Sequence, residues 1–476
     1  MPRRLTTLAI LLVPALALAQ PPDRSATPAL GPTPTLSLPT VQRARLANGL
    51  EVRLVEMHEV PVVRMALVFR NGAAADPAGK PGVASLTAAM LDEGAGSRSA
   101  LEISDEVAFL GATLTSASSY DASSVSVGVP VVRIEPALAL LADVALRPTF
   151  PAADLERLRT ELLTNMLQAR DNPAAIASLA FPRLLYGTAH RFGTAVNGTT
   201  ESVKTLTADD LRAFHQAQYR PDAAQLIVVG DVTKAGLWPL IERAFGSWTA
   251  SGTPPAPQPV AAAAQPTARR VVLVDKPGAA QSQIRIGWIG VPRKTPDYFP
   301  LTVVNTVLGG SFTSRLNTNL RETHGYAYGA SSQFDMRRDA GPFVAAAGVQ
   351  TDKTAESVRE FFNEFDGIRT PISAGEFAKA QGNLALSFPG DFETTGDLLA
   401  RLQSQAVLGL PDDVYATYVP KVLAVTPADA TRVTAQYLQP SKFLVVVVGD
   451  RAKVEAPLRA LNLGPLTVLS VEDALK

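Results

Sequence analysis

Apolar residues along the chain fall into two recurring patterns. Short runs rich in Val, Leu and Ile, at 51–55 and 62–69 and again at 271–274 and 284–289, have the length and β-branched content of strands. Between them lie stripes at helical spacing: Leu155, Leu158, Leu162 and Met166 share one face, and Phe312, Leu316 and Leu320 recur every four residues. Tyr219-Arg220-Pro221-Asp222 leads into Leu226-Ile227-Val228-Val229-Gly230-Asp231. Tyr437-Leu438-Gln439-Pro440 leads into Leu444-Val445-Val446-Val447-Val448-Gly449-Asp450. The interval from Gly230 to Gly449 equals the interval from Thr207 to Thr426. Each Thr is a helix cap with an acid three positions on, Asp210 and Asp429. Two landmarks with one period identify a doubled unit. The pattern predicts an α+β chain of two homologous α/β halves, 41–249 and 269–465, each a mainly antiparallel sheet with helices packed on one face. A Pro/Ala-rich linker at 250–268 joins them, and 466–476 is set apart as a tail.

The segment before Val41 reads differently. Arg3 and Arg4 precede an apolar run at 8–19 that ends in Ala17-Leu18-Ala19, a small-x-small cleavage site. The run is shorter than the roughly 20 residues a bilayer span needs. Residues 1–19 are therefore expected to be a signal peptide and the protein to be exported, periplasmic or secreted, with no stable membrane span after cleavage. The paired arginines leave Sec and twin-arginine export both open. Pro21, Pro22, Pro28, Pro32, Pro34 and Pro39 make 20–40 a stiff lead-in.

Composition then removes whole classes of chemistry. Lys+Arg equals Asp+Glu at 44 each, so there is no basic excess to hold nucleic acid. The chain has no cysteine, which excludes disulfides, Cys-ligated zinc, iron–sulfur clusters and a thiol nucleophile. Its four histidines, His58, His190, His215 and His324, have no i, i+3 or i+4 pairing; His58, between Glu56 and Glu59, reads as a solvated strand end. There is no Gly-x-Ser-x-Gly elbow and no phosphate-binding loop.

Ala47-Asn48-Gly49-Leu50, the Tyr-Arg-Pro-Asp to Gly-Asp segment of the first half, and two blocks of the second half carry a resemblance. The blocks are Gly309-Gly310-Ser311-Phe312-Thr313-Ser314-Arg315-Leu316 and Leu320-Arg321-Glu322-Thr323-His324-Gly325-Tyr326-Ala327-Tyr328. Over roughly 41–465 the chain resembles the pitrilysin/insulinase family of zinc metallopeptidases, the group that includes processing peptidases. Active members carry His-x-x-Glu-His on a helix, which puts two ligands on one face and a general base beside them, with a distal Glu as third ligand. The matching positions here are Ser85, Leu86, Thr87, Ala88 and Ala89, and the distal position is Asn165 or Met166. Alanine has no donor atom, a neutral serine hydroxyl is a poor zinc ligand, and the base is missing. No metal site is expected in this chain.

The resemblance implies more for the second half. Active members complete their site with an Arg and a Tyr that hold the substrate and steady the charge on the attacked carbonyl; Arg321 and Tyr328 meet that spacing. The residues themselves read as an amphipathic helix at 312–323 stopped by Gly325, with Arg321 in its last turn and Tyr328 on the next strand. An Arg there is also favourable through the helix dipole alone. Tyr326 reads as packing. The family further implies that substrate adds to a sheet edge at 113–119, with Thr115, Ser116 and Ala117 as contacts; an ordinary edge strand fits the residues equally. The resulting expectation is the zinc-free subunit of a heteromeric metalloendopeptidase. It would supply Arg321 and Tyr328 to a homologous partner that bears the zinc, with peptide or unfolded protein as substrate. Two alternatives stand beside it: a non-enzymatic peptide-binding or scaffold protein of the same fold, and an autonomous zinc metallopeptidase.

Overall fold

A computed structural model describes residues 37–250, 252 and 260–476. The expected signal peptide at 1–19, most of the Pro-rich lead-in, and residues 251 and 253–259 of the linker lie outside the described residues.

Each half is built on a six-stranded sheet. The first runs Gln42–Arg45, Glu51–Glu56, Ala224–Gly230, Val62–Phe69, Ser123–Pro130, Thr113–Ser118. The second runs Leu466–Leu469, Arg270–Asp275, Leu444–Gly449, Gln281–Ile289, Pro342–Gln350, Ala327–Phe334. Five strands correspond in order. The register corresponds too, since Arg64 faces Val229 as Gln283 faces Val448. Most pairings are antiparallel, and Glu51–Glu56 with Ala224–Gly230 is parallel, as is Arg270–Asp275 with Leu444–Gly449. The sixth strand differs. In the first half it is the start of a hairpin; in the second it comes from residues 466–469, whose Leu466 and Val468 seal the sheet edge in parallel before the short helix Val471–Leu475. Both capping boxes foreseen at the common interval are present, with Thr207 accepting from Asp210 N and Thr426 from Asp429 N.

One face of each sheet carries its own helices, as the fold class requires. Val83–Ala89, Ile134–Leu146, Ala208–Gln218 and Lys234–Phe245 close the first core, and Tyr298–Leu308, Thr354–Gly367, Ala374–Ser387 and Pro427–Tyr437 close the second. The opposite faces are apolar as well. Val55, Ala66, Val68, Ile227 and Val229 pack against Leu398, Leu399, Leu402 and Ala406 of helix Thr395–Leu408, which belongs to the second half. Val272, Val274, Leu444, Val446 and Val448 pack against Ile176, Ala177, Ala180 and Phe181 of helix Pro173–Tyr186, which belongs to the first. Gly287 makes the second contact close: a Cβ there would sit 3.2 Å from the Phe181 ring. Each half thus lends a helix to the bare face of the other. No helix among the described residues is long and apolar enough to cross a membrane.

A strand apolar on both faces needs cover on both. Residues 37–250 expressed alone leave Val55, Val68, Ile227 and Val229 bare, so this fragment is expected to bind a hydrophobic dye and to lose cooperative unfolding. A sharp thermal transition without dye binding would contradict the exchange.

Candidate functional site

The helix Val83–Ala89, where the resemblance puts the motif positions, starts on an anchor. Asp76 accepts from Gly82 N at 2.7 Å and Ala84 N at 2.9 Å and pairs with Arg191. Burial raises its carboxyl pKa, against the pull of Arg191. On the helix Val83–Ala89, Leu86, Thr87 and Ala88 are buried and Ala89 is exposed. Ser85 Oγ is already committed, donating to Asn197 Oδ1 at 2.8 Å. Thr87 Oγ1 is buried with no partner, and threonine is no substitute for a zinc-binding imidazole. Asn165 is exposed on the helix Ala152–Ala169, and Met166 contacts Thr200 through sulfur at 4.0 Å. This donor set does not fit zinc.

The histidines are engaged elsewhere. His58 lies 2.8 Å from Asp231, which raises its pKa, so the strand end read as solvated carries a defined partner. His190 stacks on Tyr186 and reaches Ala261 O; His215 donates to Ala145 O and has its pKa lowered by desolvation; His324 stacks on Tyr326. Among the described residues no group of three His, Cys, Asp or Glu side chains is placed to hold a metal.

The second half gathers a different set. Helix Tyr298–Leu308 ends in Gly309-Gly310, where a Cβ would lie 2.4 Å from Ser332 N and 2.7 Å from Asn305 Nδ2 respectively. Two glycines let this turn press onto strand Ala327–Phe334, and Ser332 N donates to Gly309 O. The helix expected at 312–323 begins only at Arg315 and widens into a π-turn over Thr318–Thr323, closed by His324 N to Asn319 O. Leu316 and Leu320 are fully buried as the spacing predicts, but Phe312 precedes the helix and is 67% exposed. Gly325, at φ +64°, stops the helix in the left-handed region as expected, and Tyr326 N closes back on Leu320 O.

Arg321 and Tyr328 come together there. The Arg321 guanidinium carbon lies 5.1 Å from the Tyr328 ring and 4.7 Å from the Phe312 ring, while Nε pairs with Glu322 at 3.0 Å. The terminal nitrogens of Arg321 have no hydrogen-bond partner among the described residues. Tyr328 is 87% exposed at an irregularity in the strand, where the register to Pro342–Gln350 shifts between Ala327 and Ala330. Such bulges re-aim side chains. Tyr326 packs against the core, as read from the sequence. Three features escaped sequence reasoning. Phe312 joins the cluster. Buried Asn317 ties it together, donating to Phe312 O at 2.6 Å and accepting from Ala330 N at 3.0 Å. Arg315 bonds Glu376 through two nitrogens, at 2.7 and 3.0 Å. An Arg-to-Glu pair so distant in sequence leaves no local signal.

Thr115, Ser116 and Ala117 lie on Thr113–Ser118, an edge strand whose one neighbour is Ser123–Pro130. Among the described residues no hydrogen bond or ring contact links them to Arg321 or Tyr328, and nothing hydrogen-bonds the backbone on the strand's open side. The corresponding edge of the second sheet is closed: Asn317 takes Ala330 N, Gly309 takes Ser332 N, and Asn305 donates to Ser332 O.

Family comparison gives a consistent answer. Residues 51–199 match the family model "Insulinase (Peptidase family M16)" and residues 205–384 match "Peptidase M16 inactive domain". The chain belongs to the insulinase family. A protein of Mycobacterium leprae named an uncharacterized zinc protease is 29% identical over 366 residues, covering 76% of this chain and 81% of that one. A Helicobacter pylori zinc protease is 22% identical over 426 residues, covering 86% and 93%. Among solved structures, a peptidase M16 inactive domain from Pseudomonas fluorescens superposes with a TM-score of 0.80 at 26% identity, covering 86% of this chain and 98% of that one. A protease from Helicobacter pylori shares the fold, with a TM-score of 0.81 at 20% identity and coverage of 86% and 100%.

This insulinase-family chain has an Arg321/Tyr328 cluster beside Phe312, and Ser85, Ala88 and Ala89 of helix Val83–Ala89 offer no good zinc donor. The purified mature chain is therefore expected to hold well under one zinc per molecule by elemental analysis; stoichiometric zinc would contradict the donor assignment. The Arg315–Glu376 pair has its own pH signature. Arg315 holds the Glu376 carboxyl down to about 2 from an ordinary 4.5. A depressed carboxyl pKa adds stability above the unfolded value, and that stability is lost as pH falls through the folded one. Glu376→Gln should thus be less stable than the parent at neutral pH, and the gap should close between about pH 4.5 and about pH 2. A gap constant across that window in denaturation curves would contradict the pairing.

Proposed function

We propose that this chain is the zinc-free subunit of a two-chain insulinase-family metalloendopeptidase. The observation that carries the reading is the pairing of opposites in one molecule. Donors stand clustered on half-buried Arg321 and exposed Tyr328, while the helix that would present a metal offers Ser85, Ala88 and Ala89. In this reading a homologous partner with His-x-x-Glu-His brings zinc and its activated water. This chain binds and orients the substrate.

The chemistry assigned to this chain is modest and specific. A guanidinium terminus and a phenol O–H both donate, and an amide oxygen gains negative charge when it is attacked. The Phe312 and Tyr328 rings lie beside the guanidinium, and its terminal nitrogens remain to donate to the substrate. An extended peptide adds to Thr113–Ser118, where Thr115, Ser116 and Ala117 present an open backbone edge. Relatives named zinc proteases support the reaction class. Export to the periplasm or exterior is part of the proposal and rests on residues 1–19.

The test is reconstitution. Mixed with an exported homologue bearing His-x-x-Glu-His, the chain should raise peptide cleavage above that of either protein alone. Arg321→Ala, and Tyr328→Phe, which keeps the ring and removes the hydroxyl, should each lower kcat by roughly 10²–10³-fold. Unchanged kcat in both variants would reject the donor role and favour the scaffold reading.

A further inference from the structure

The seam between the halves holds a cavity of about 480 Å³, within the range of small-ligand pockets, and it starts where the open strand ends. Ala117 and Ser118 line it from Thr113–Ser118; Val68, Met336 and Val407 give it apolar walls. Side chains alternate along the strand, and Thr113, Thr115 and Ala117 share the exposed face. Helix Thr395–Leu408 stands over that face, where Gln403 Nε2 reaches Ser126 Oγ, and Ser126 pairs with Thr115. Ala117 has the smallest side chain of the three, so space opens beside it.

The cavity is held rigidly. Arg338 N donates to Asp121 Oδ2 at 2.9 Å, fastening the second half onto the turn after the strand. The Arg337 guanidinium carbon lies 4.1 Å from the Tyr120 ring and 4.5 Å from the Phe192 ring. The nearby charges are paired within the seam, Arg337 with Asp335 and Arg338 with Asp121. Arg337 Nη1 is buried without a partner among the described residues, but each guanidinium charge is offset by a carboxylate, so the apolar walls favour an uncharged group.

We propose that this cavity takes one large apolar side chain from an extended peptide added to Thr113–Ser118. It rests on the reading of that strand as the peptide-binding edge. Fluorescence anisotropy of the mature chain with short unstructured peptides tests it without any partner. Three peptides that differ at one position, Phe, Ala or Asp, should rank with Phe ahead of Ala by about tenfold or more, the affinity worth of burying one such side chain. Asp should do no better than Ala. Ser404→Trp, at an exposed helix position lining the cavity, should bring the Phe-to-Ala ratio near one, and Gln403→Trp should do the same by a second route. Equal binding of all three peptides by the parent chain would overturn the pocket and leave the strand reading standing. A preference retained in both variants would place it elsewhere and overturn the pocket too. Binding of none would reject both readings.

Discussion

Both sheets are apolar on two faces, and a six-stranded sheet cannot leave one such face in water. Within each half the local helices cover only one side. The remaining faces are closed by helices Pro173–Tyr186 and Thr395–Leu408, each placed against the sheet it does not belong to. This reciprocal cover constrains the rest of the molecule. It fixes one half against the other, creates the seam beside Thr113–Ser118, and makes the doubled unit one cooperative body. The two sheets also differ at their edges, where the second closes its own with Asn305, Asn317 and Gly309 while the first is left open among the described residues.

The Arg321 cluster follows from the same economy of backbone. A glycine pair brings the chain onto the strand, a π-turn moves Arg321 relative to an ordinary helix, and a bulge turns Tyr328 outward. Widened helix turns and bulges are strained or irregular elements that tend to accompany function. Asn317 and the Arg315–Glu376 pair hold them in place. Single exposed aromatics are ordinary, but Phe312 and Tyr328 stand together beside one cation on a braced backbone. The helix Val83–Ala89 offers no comparable donor cluster. Its face is given to packing and to the Ser85–Asn197 hydrogen bond.

Much of this was legible in the sequence. The repeated interval between paired landmarks, the capping boxes, the strand runs and the Gly325 stop are readable without tertiary knowledge, because each reports local geometry. That serine and alanine are poor zinc donors is residue chemistry, while placing Ser85, Ala88 and Ala89 at motif positions rests on the family resemblance. What escaped depends on distance in sequence. Apolar content in Val446 or Ile227 shows that a face needs cover, not which helix supplies it. The segment Leu466–Leu469 joins the sheet through parallel pairing with Arg270–Asp275, the strand that opens the second half, and no local pattern encodes so distant a partner. Phe312 fits a spacing of four with Leu316, yet the helix starts after it, because residues 311–314 form a turn closed by Ser314 N to Ser311 O.

The proposed division of labour between two chains is tested most directly by a structure of the assembled pair, with zinc located by its anomalous scattering. The account predicts a single metal on the partner's helix, with Arg321 and Tyr328 of this chain facing it across the peptide-binding space. Zinc held by this chain, or an interface that turns Arg321 and Tyr328 away from the metal, would contradict it.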